Sequence, residues 1–73
     1  MIDTKKLKEI ISKYPGVNSD AVVAFINMNL NKPQPQIIKS LDEFKARYSD
    51  ANTVNCIKEC IEQLIPNKNI LHG

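Results

Sequence analysis

The 73-residue chain has no tryptophan, two glycines, two cysteines and one histidine. Each shortage closes off a kind of chemistry. With Gly16 and Gly73 so far apart there is no glycine-rich loop to cradle a phosphate. A structural zinc site takes about four ligands, and Cys56, Cys60 and His72 are the only soft candidates. His72 has no neighbouring partner that would make it a general base, and Asp42 and Glu43, adjacent in sequence, point to different helix faces. The expectation is no catalytic residues, no metal, no cofactor and no enzymatic activity. Long apolar runs are missing too. Nothing approaches the ~18 residues of a membrane-crossing helix, and the N-terminus lacks the apolar core of a signal peptide. A cytoplasmic protein is therefore expected. Net charge is only +2, too little to imply nucleic acid by itself. The local excess, Lys5, Lys6, Lys8 and Lys13 against Asp3 and Glu9, is the pattern of a solvated helix face.

The aromatics number four, Tyr14, Phe25, Phe44 and Tyr48, so aliphatic residues must fill the core. A chain this short buries only about 60–65% of its unfolded surface. Hydrophobic content of 42% with 25% charged residues nevertheless fits a folded globular domain.

The sharpest punctuation is Lys13-Tyr14-Pro15-Gly16-Val17-Asn18. Pro15 disfavours helix at Tyr14, Gly16 accepts a left-handed backbone, and Asn18 suits a helix N-cap. Val17 and Val22 then occupy the positions of a hydrophobic staple. Before this joint, Leu7, Ile10, Ile11 and Tyr14 form one apolar stripe on a helix running from Asp3 to about Tyr14. Asp3 is its cap, Ile2 and Leu7 its staple, and Lys5–Glu9 and Glu9–Lys13 its i,i+4 pairs. After the joint, Val22, Phe25, Ile26 and Leu30 predict a second helix over about 19–30. Ile26-Asn-Met-Asn-Leu30 alternates like a strand, so the alternative is α+β, with 22–30 and 36–40 as a hairpin.

Pro33 and Pro35 mark the next loop, with Pro35 suited to the first helical position. Ile37, Leu41, Phe44 and Tyr48 are spaced 4, 3, 4 and predict a third helix over about 35–48, with Glu43–Arg47 as an i,i+4 pair. The capping box Ser40–Glu43 offers a later start, with Ile37 and Ile38 extended. Asp50 sits in the turn that follows. Asn52 is read as the cap of a fourth helix over about 53–65, with Val54, Ile57, Ile61 and Leu64 on one face and Pro66 as its stop. Cys56 and Cys60, one turn apart on this helix, do not meet disulfide geometry and read as small hydrophobes. The expected organisation is one all-α domain of three to four short helices over residues 1–66, with 67–73 as a tail on which Ile70 and Leu71 dock back. Its core draws on Leu7, Ile10, Ile11, Val22, Phe25, Ile26, Ile37, Leu41, Phe44, Ile57, Ile61 and Leu64.

Two family patterns overlay the joint. Residues 8–27 follow the DNA-binding helix-turn-helix, with Ser12 as the small residue, Gly16 in the turn and Val17, Val22 and Phe25 buried. Pro15 departs from that pattern. The residues that would face a DNA groove, Asn18, Ser19, Asp20, Val23, Ala24 and Asn27, contain no cation. Residues 7–41 resemble a CUE domain, the three-helix relative of UBA ubiquitin-binding domains. Those domains end their first helix with Met-Phe-Pro and carry Leu-Leu late in the third; here the chain has Lys13-Tyr14-Pro15 and Ser40-Leu41. Val17, Val22, Ile26, Asn29 and Ile37 fall where the family has core aliphatics and an asparagine. Lys13 and Ser40 replace residues the family uses to touch ubiquitin, so the resemblance implies a UBA-like core more than ubiquitin binding.

The resemblance implies a partner surface of Lys13, Tyr14, Pro15, Gly16, Ser40 and Leu41. The function expected is a non-catalytic protein-interaction module, a small regulator or inhibitor of a larger intracellular protein. A DNA-binding regulator is the alternative. Self-association through the third and fourth stripes, giving a homo-oligomer, is a further one.

Overall fold

The computed structural model describes residues 3–65. The Ile2 staple, Pro66, the 67–73 tail and His72 lie outside them. Among the described residues the elements are four helices and no strand: α1 (Thr4–Ser12), α2 (Ser19–Asn29), α3 (Gln34–Arg47) and α4 (Ala51–Leu64). The domain is all-α, and 22–40 is a helix pair rather than a hairpin. Among the described residues no helix is long and apolar enough to cross a membrane.

The caps explain the boundaries. Asp3 accepts from the Lys6 amide at 3.1 Å, and Asn18 accepts from the Ala21 amide at 3.1 Å. Each satisfies an amide that the first helical turn leaves without a partner. Between α1 and α2, the Val17 amide closes a turn onto the Tyr14 carbonyl at 3.2 Å, with Gly16 at φ +79°. Pro at the second position and a positive φ at the third is the type II pattern.

Three readings are corrected. Pro35 sits one residue deeper than expected, at the second position of α3. The helix begins at Gln34 after Pro33, whose carbonyl takes the Gln36 and Ile37 amides. The box at Ser40 is therefore mid-helix, and Ile37 and Ile38 are helical. The cap of α4 is Asp50, not Asn52: Asp50 accepts from the Asn52 amide at 3.1 Å and from the Thr53 hydroxyl at 2.6 Å. A carboxylate wins this position because it takes two donors at once and suits the helix dipole. Finally, the Lys5–Glu9, Glu9–Lys13 and Glu43–Arg47 pairs do not form; among the described residues the one ion pair is Lys13–Glu59. Exposed pairs along one helix gain too little in water to hold two long side chains still.

α4 is the centre of the fold, and α1, α2 and α3 each pack against it. It buries Thr53, Val54, Cys56, Ile57, Cys60 and Ile61, more than any other helix, against Leu7 and Ile10 of α1, Val22, Phe25 and Ile26 of α2, and Ile37 and Leu41 of α3. Ile11, Tyr14, Val17, Phe44 and Leu64 are half-buried around that core. The stretch that carries the CUE resemblance ends at residue 41, before this central helix begins.

Candidate functional site

The joint between α1 and α2 is fastened to α4 at three points. Glu59 receives the Tyr14 hydroxyl on Oε1 at 2.6 Å, and the Lys13 ammonium at 2.6 Å and the Gln63 amide at 2.7 Å on Oε2. Asn52 donates to the Pro15 carbonyl at 2.8 Å. The Thr53 hydroxyl accepts from the Asn18 amide at 3.2 Å while donating to Asp50. The hydrogen bond from Lys13, followed by that from Tyr14, holds the Glu59 carboxyl below its usual pKa. The same bond, with partial burial, pushes the Tyr14 phenol up to about 12.

These shifts give opposite pH dependences. A carboxyl with a depressed folded pKa adds stability above its ordinary value of 4.5, lost as pH falls through the folded one. A phenol with a raised folded pKa adds stability below 10.0 that is lost between there and about 12. Titrating phenolate absorbance should therefore show one tyrosine ionising near 12 in the wild type and none in Tyr14→Phe. Melting temperature should fall across that same interval less steeply in the variant. Ionisation of Tyr14 near its ordinary pKa would show that Glu59 does not hold it.

A different arrangement lies between α2 and α3. There a groove of about 350 Å³ runs along the helical hairpin. Its floor holds Phe25, Phe44 and Tyr48. Phe25 meets Phe44 edge to face at 5.7 Å, and Phe44 stacks on Tyr48 at 4.3 Å and 14°. Met28, 70% exposed, and Ala21 and Ala24 line the α2 wall. Lys32, Glu43 and Arg47 bring charge to the lining. Asn29 also lines it and is 3% exposed: Nδ2 donates to the Phe25 carbonyl at 2.8 Å, and Oδ1 is buried with no partner among the described residues.

The thiols lie elsewhere. Cys56 and Cys60 are fully buried in α4 and unbonded, and burial pushes both pKa values up, that of Cys60 to about 12. Thiols in this state are protonated and inert at neutral pH. Among the described residues no three His, Cys, Asp or Glu side chains gather as metal ligands.

The expected partner surface is distributed over these places. Lys13 and Tyr14 meet on Glu59, and Pro15 is tied to Asn52. Gly16 is exposed. Leu41 is a core residue, and Ser40, half-buried, lines the α2–α3 groove. Of the residues that would face a DNA groove, Asn18 has its side-chain carbonyl engaged as the α2 cap. Sequence reading passed over Glu59, Met28 and the exposed end of the third stripe. Glu59 gave no signal as a fastening point, because the two partners it holds on the joint, Tyr14 and Lys13, lie 45 and 46 residues away. Met28 had one, as an apolar side chain off the Val22–Phe25–Ile26 stripe. No protein-family model matches the chain, and neither does any curated protein or solved structure.

Proposed function

We propose that the chain is a non-catalytic protein-binding module whose docking site is the groove between α2 and α3. The observation that carries this reading is the partly open aromatic floor. Phe25, Phe44 and Tyr48 line one depression beside an exposed methionine. A concave surface with rings at its base and an exposed methionine on its wall can take an apolar side chain from another molecule. Aromatic rings and methionine are also the side chains that carry most interface energy and adapt to a partner's shape. In this reading Lys13, Tyr14, Pro15 and Gly16 form a structural clamp, and of the surface first expected only Ser40 belongs to the docking site. The protonated, enclosed thiols and the engaged carboxylates of Asp50 and Glu59 support a role without catalysis.

A photo-crosslinking residue at position 28 tests this in the native cell, with the same residue at exposed Lys8 on α1 as control. Position 28 should yield a discrete adduct with another protein and position 8 should not. Tyr48→Ala should remove that adduct while melting within a few degrees of wild type. Equal labelling from both positions would refute the groove as the docking site. So would a crosslink from position 28 that joins two copies of the purified chain or closes within one chain.

A further inference from the structure

We propose that the segment taken by this groove is acidic: a stretch of a partner protein that places a bulky apolar side chain on the aromatic floor and carboxylates over the cations around Tyr48. The proposal rests on the docking reading above and adds the partner's chemistry. Its basis is charge. Tyr48, 44% exposed at the end of α3, lines the groove and also a second depression of about 300 Å³, where Lys45, Asn55 and Lys58 surround it. The two depressions together carry Lys32, Lys45, Arg47 and Lys58 against a single carboxylate, Glu43. None of these five makes an ion pair among the described residues. The neighbouring Asp50 caps α4 and stays ionised, because the Thr53 hydroxyl and the Asn52 amide hold its pKa down, so it offsets part of this excess. The whole chain is only +2, and the lining of the two depressions still holds four cations to one carboxylate. Opposite charge at the edge of an apolar site sets partner choice and encounter rate.

Cations beside aromatic rings also suit single-stranded nucleic acid. Two features favour the peptide. Phe44 is already stacked on Tyr48 and in a T-shaped contact with Phe25, so a strand of bases finds one open ring rather than a succession of platforms. Glu43 stands within the groove itself, where it would repel a phosphodiester backbone. A peptide places its carboxylates at the edges, over Lys45 and Lys58, and only apolar atoms beside Glu43.

Selection of a random displayed peptide library on the immobilised full chain tests the inference. The enriched pool should combine Asp or Glu with Leu, Ile or Phe. The same selection on Lys45→Glu/Lys58→Glu, two exposed positions whose reversal leaves the core untouched, should shift the pool towards Lys and Arg. Peptides chosen on the wild type should bind this variant at least roughly tenfold more weakly. Enrichment of neutral or basic apolar peptides, lost on Tyr48→Ala but indifferent to the charge reversal, would keep the docking site and overturn the acidic partner. No enrichment at all would overturn both. Oligothymidylate binding that the charge reversal abolishes would assign the face to nucleic acid and overturn the peptide.

Discussion

Ile57→Ala should melt roughly 12–24 °C below the wild type, the largest loss of any change considered. Ile57 is completely buried in α4, the helix on which the other three pack. Removing a buried isoleucine side chain beyond Cβ costs about 2–5 kcal/mol, from lost transfer energy and the cavity left behind. A domain of this size has roughly 4–11 kcal/mol in total. At about 4–8 °C per kcal/mol, a loss near 3 kcal/mol lowers the melting temperature by roughly 12–24 °C. Thermal melts followed by helical circular dichroism measure this directly. Ile38→Ala is the control: Ile38 is an exposed residue of α3, and its loss should stay within about 0.5 kcal/mol. If the two variants melt together, α4 is not the centre of the core.

Thr53→Val should be the second most damaging change of those considered, although it conserves shape. The Thr53 hydroxyl donates to the Asp50 carboxylate and accepts the Asn18 amide, and the residue is 1% exposed. Valine fills the same volume, leaves the Asn18 amide without its acceptor and takes one of two donors from Asp50, which keeps the Asn52 backbone amide. A hydrogen bond to a charged group contributes about 1.5–3 kcal/mol, and an orphaned donor adds its own desolvation cost. The expected loss is about 2–3 kcal/mol in urea denaturation with an unchanged slope. Thr53→Ser keeps the hydroxyl and loses one methyl, so it should cost about 1 kcal/mol. Valine as stable as the wild type would mean that the joint and α4 are fastened by packing alone.

Much of this fold was legible because its signals are local. Asp3 and Asn18 cap where a side-chain oxygen must meet amides three residues on, and Pro15-Gly16 turns where backbone geometry demands it. The helix over 19–29 prevailed over the strand-like alternation because Val22, Phe25, Ile26 and Asn29 share one buried face at helical spacing. The misreadings lie where the deciding partner is distant or where two local candidates compete. Asp50 and Asn52 are both good caps, and the choice between them was made by Thr53 and by the Pro15 carbonyl, which accepts from the Asn52 side-chain amide. The groove was obscured by a different cause. The spacing puts Ile37, Leu41, Phe44 and Tyr48 on one stripe and the first three in the core, yet exposure climbs along it from 0% and 8% to half-buried and then 44%. The helix ends at Arg47, and Tyr48 takes an extended backbone at φ −120° and ψ 113°, so the last member of the stripe is no longer held on the helix face that packs on the core. The aromatic floor of the proposed site is the end of a core stripe that leaves the core.

The position of α4 in the chain also sets the timetable of folding. Ribosomes add about 5–20 residues per second, so roughly 2–7 s separate the making of Asn29, the last residue of α2, from Leu64, the last of α4. Through that interval the apolar faces of α1 and α2 have been synthesised, but the surface they bury against has not. Helices of 9 and 11 residues are too short to persist alone in water. The nascent chain therefore stays open until its fourth helix emerges, and then closes in one step across separations as long as the 45 residues between Tyr14 and Glu59. During those seconds the apolar faces of α1 and α2 have no partner helix to cover them.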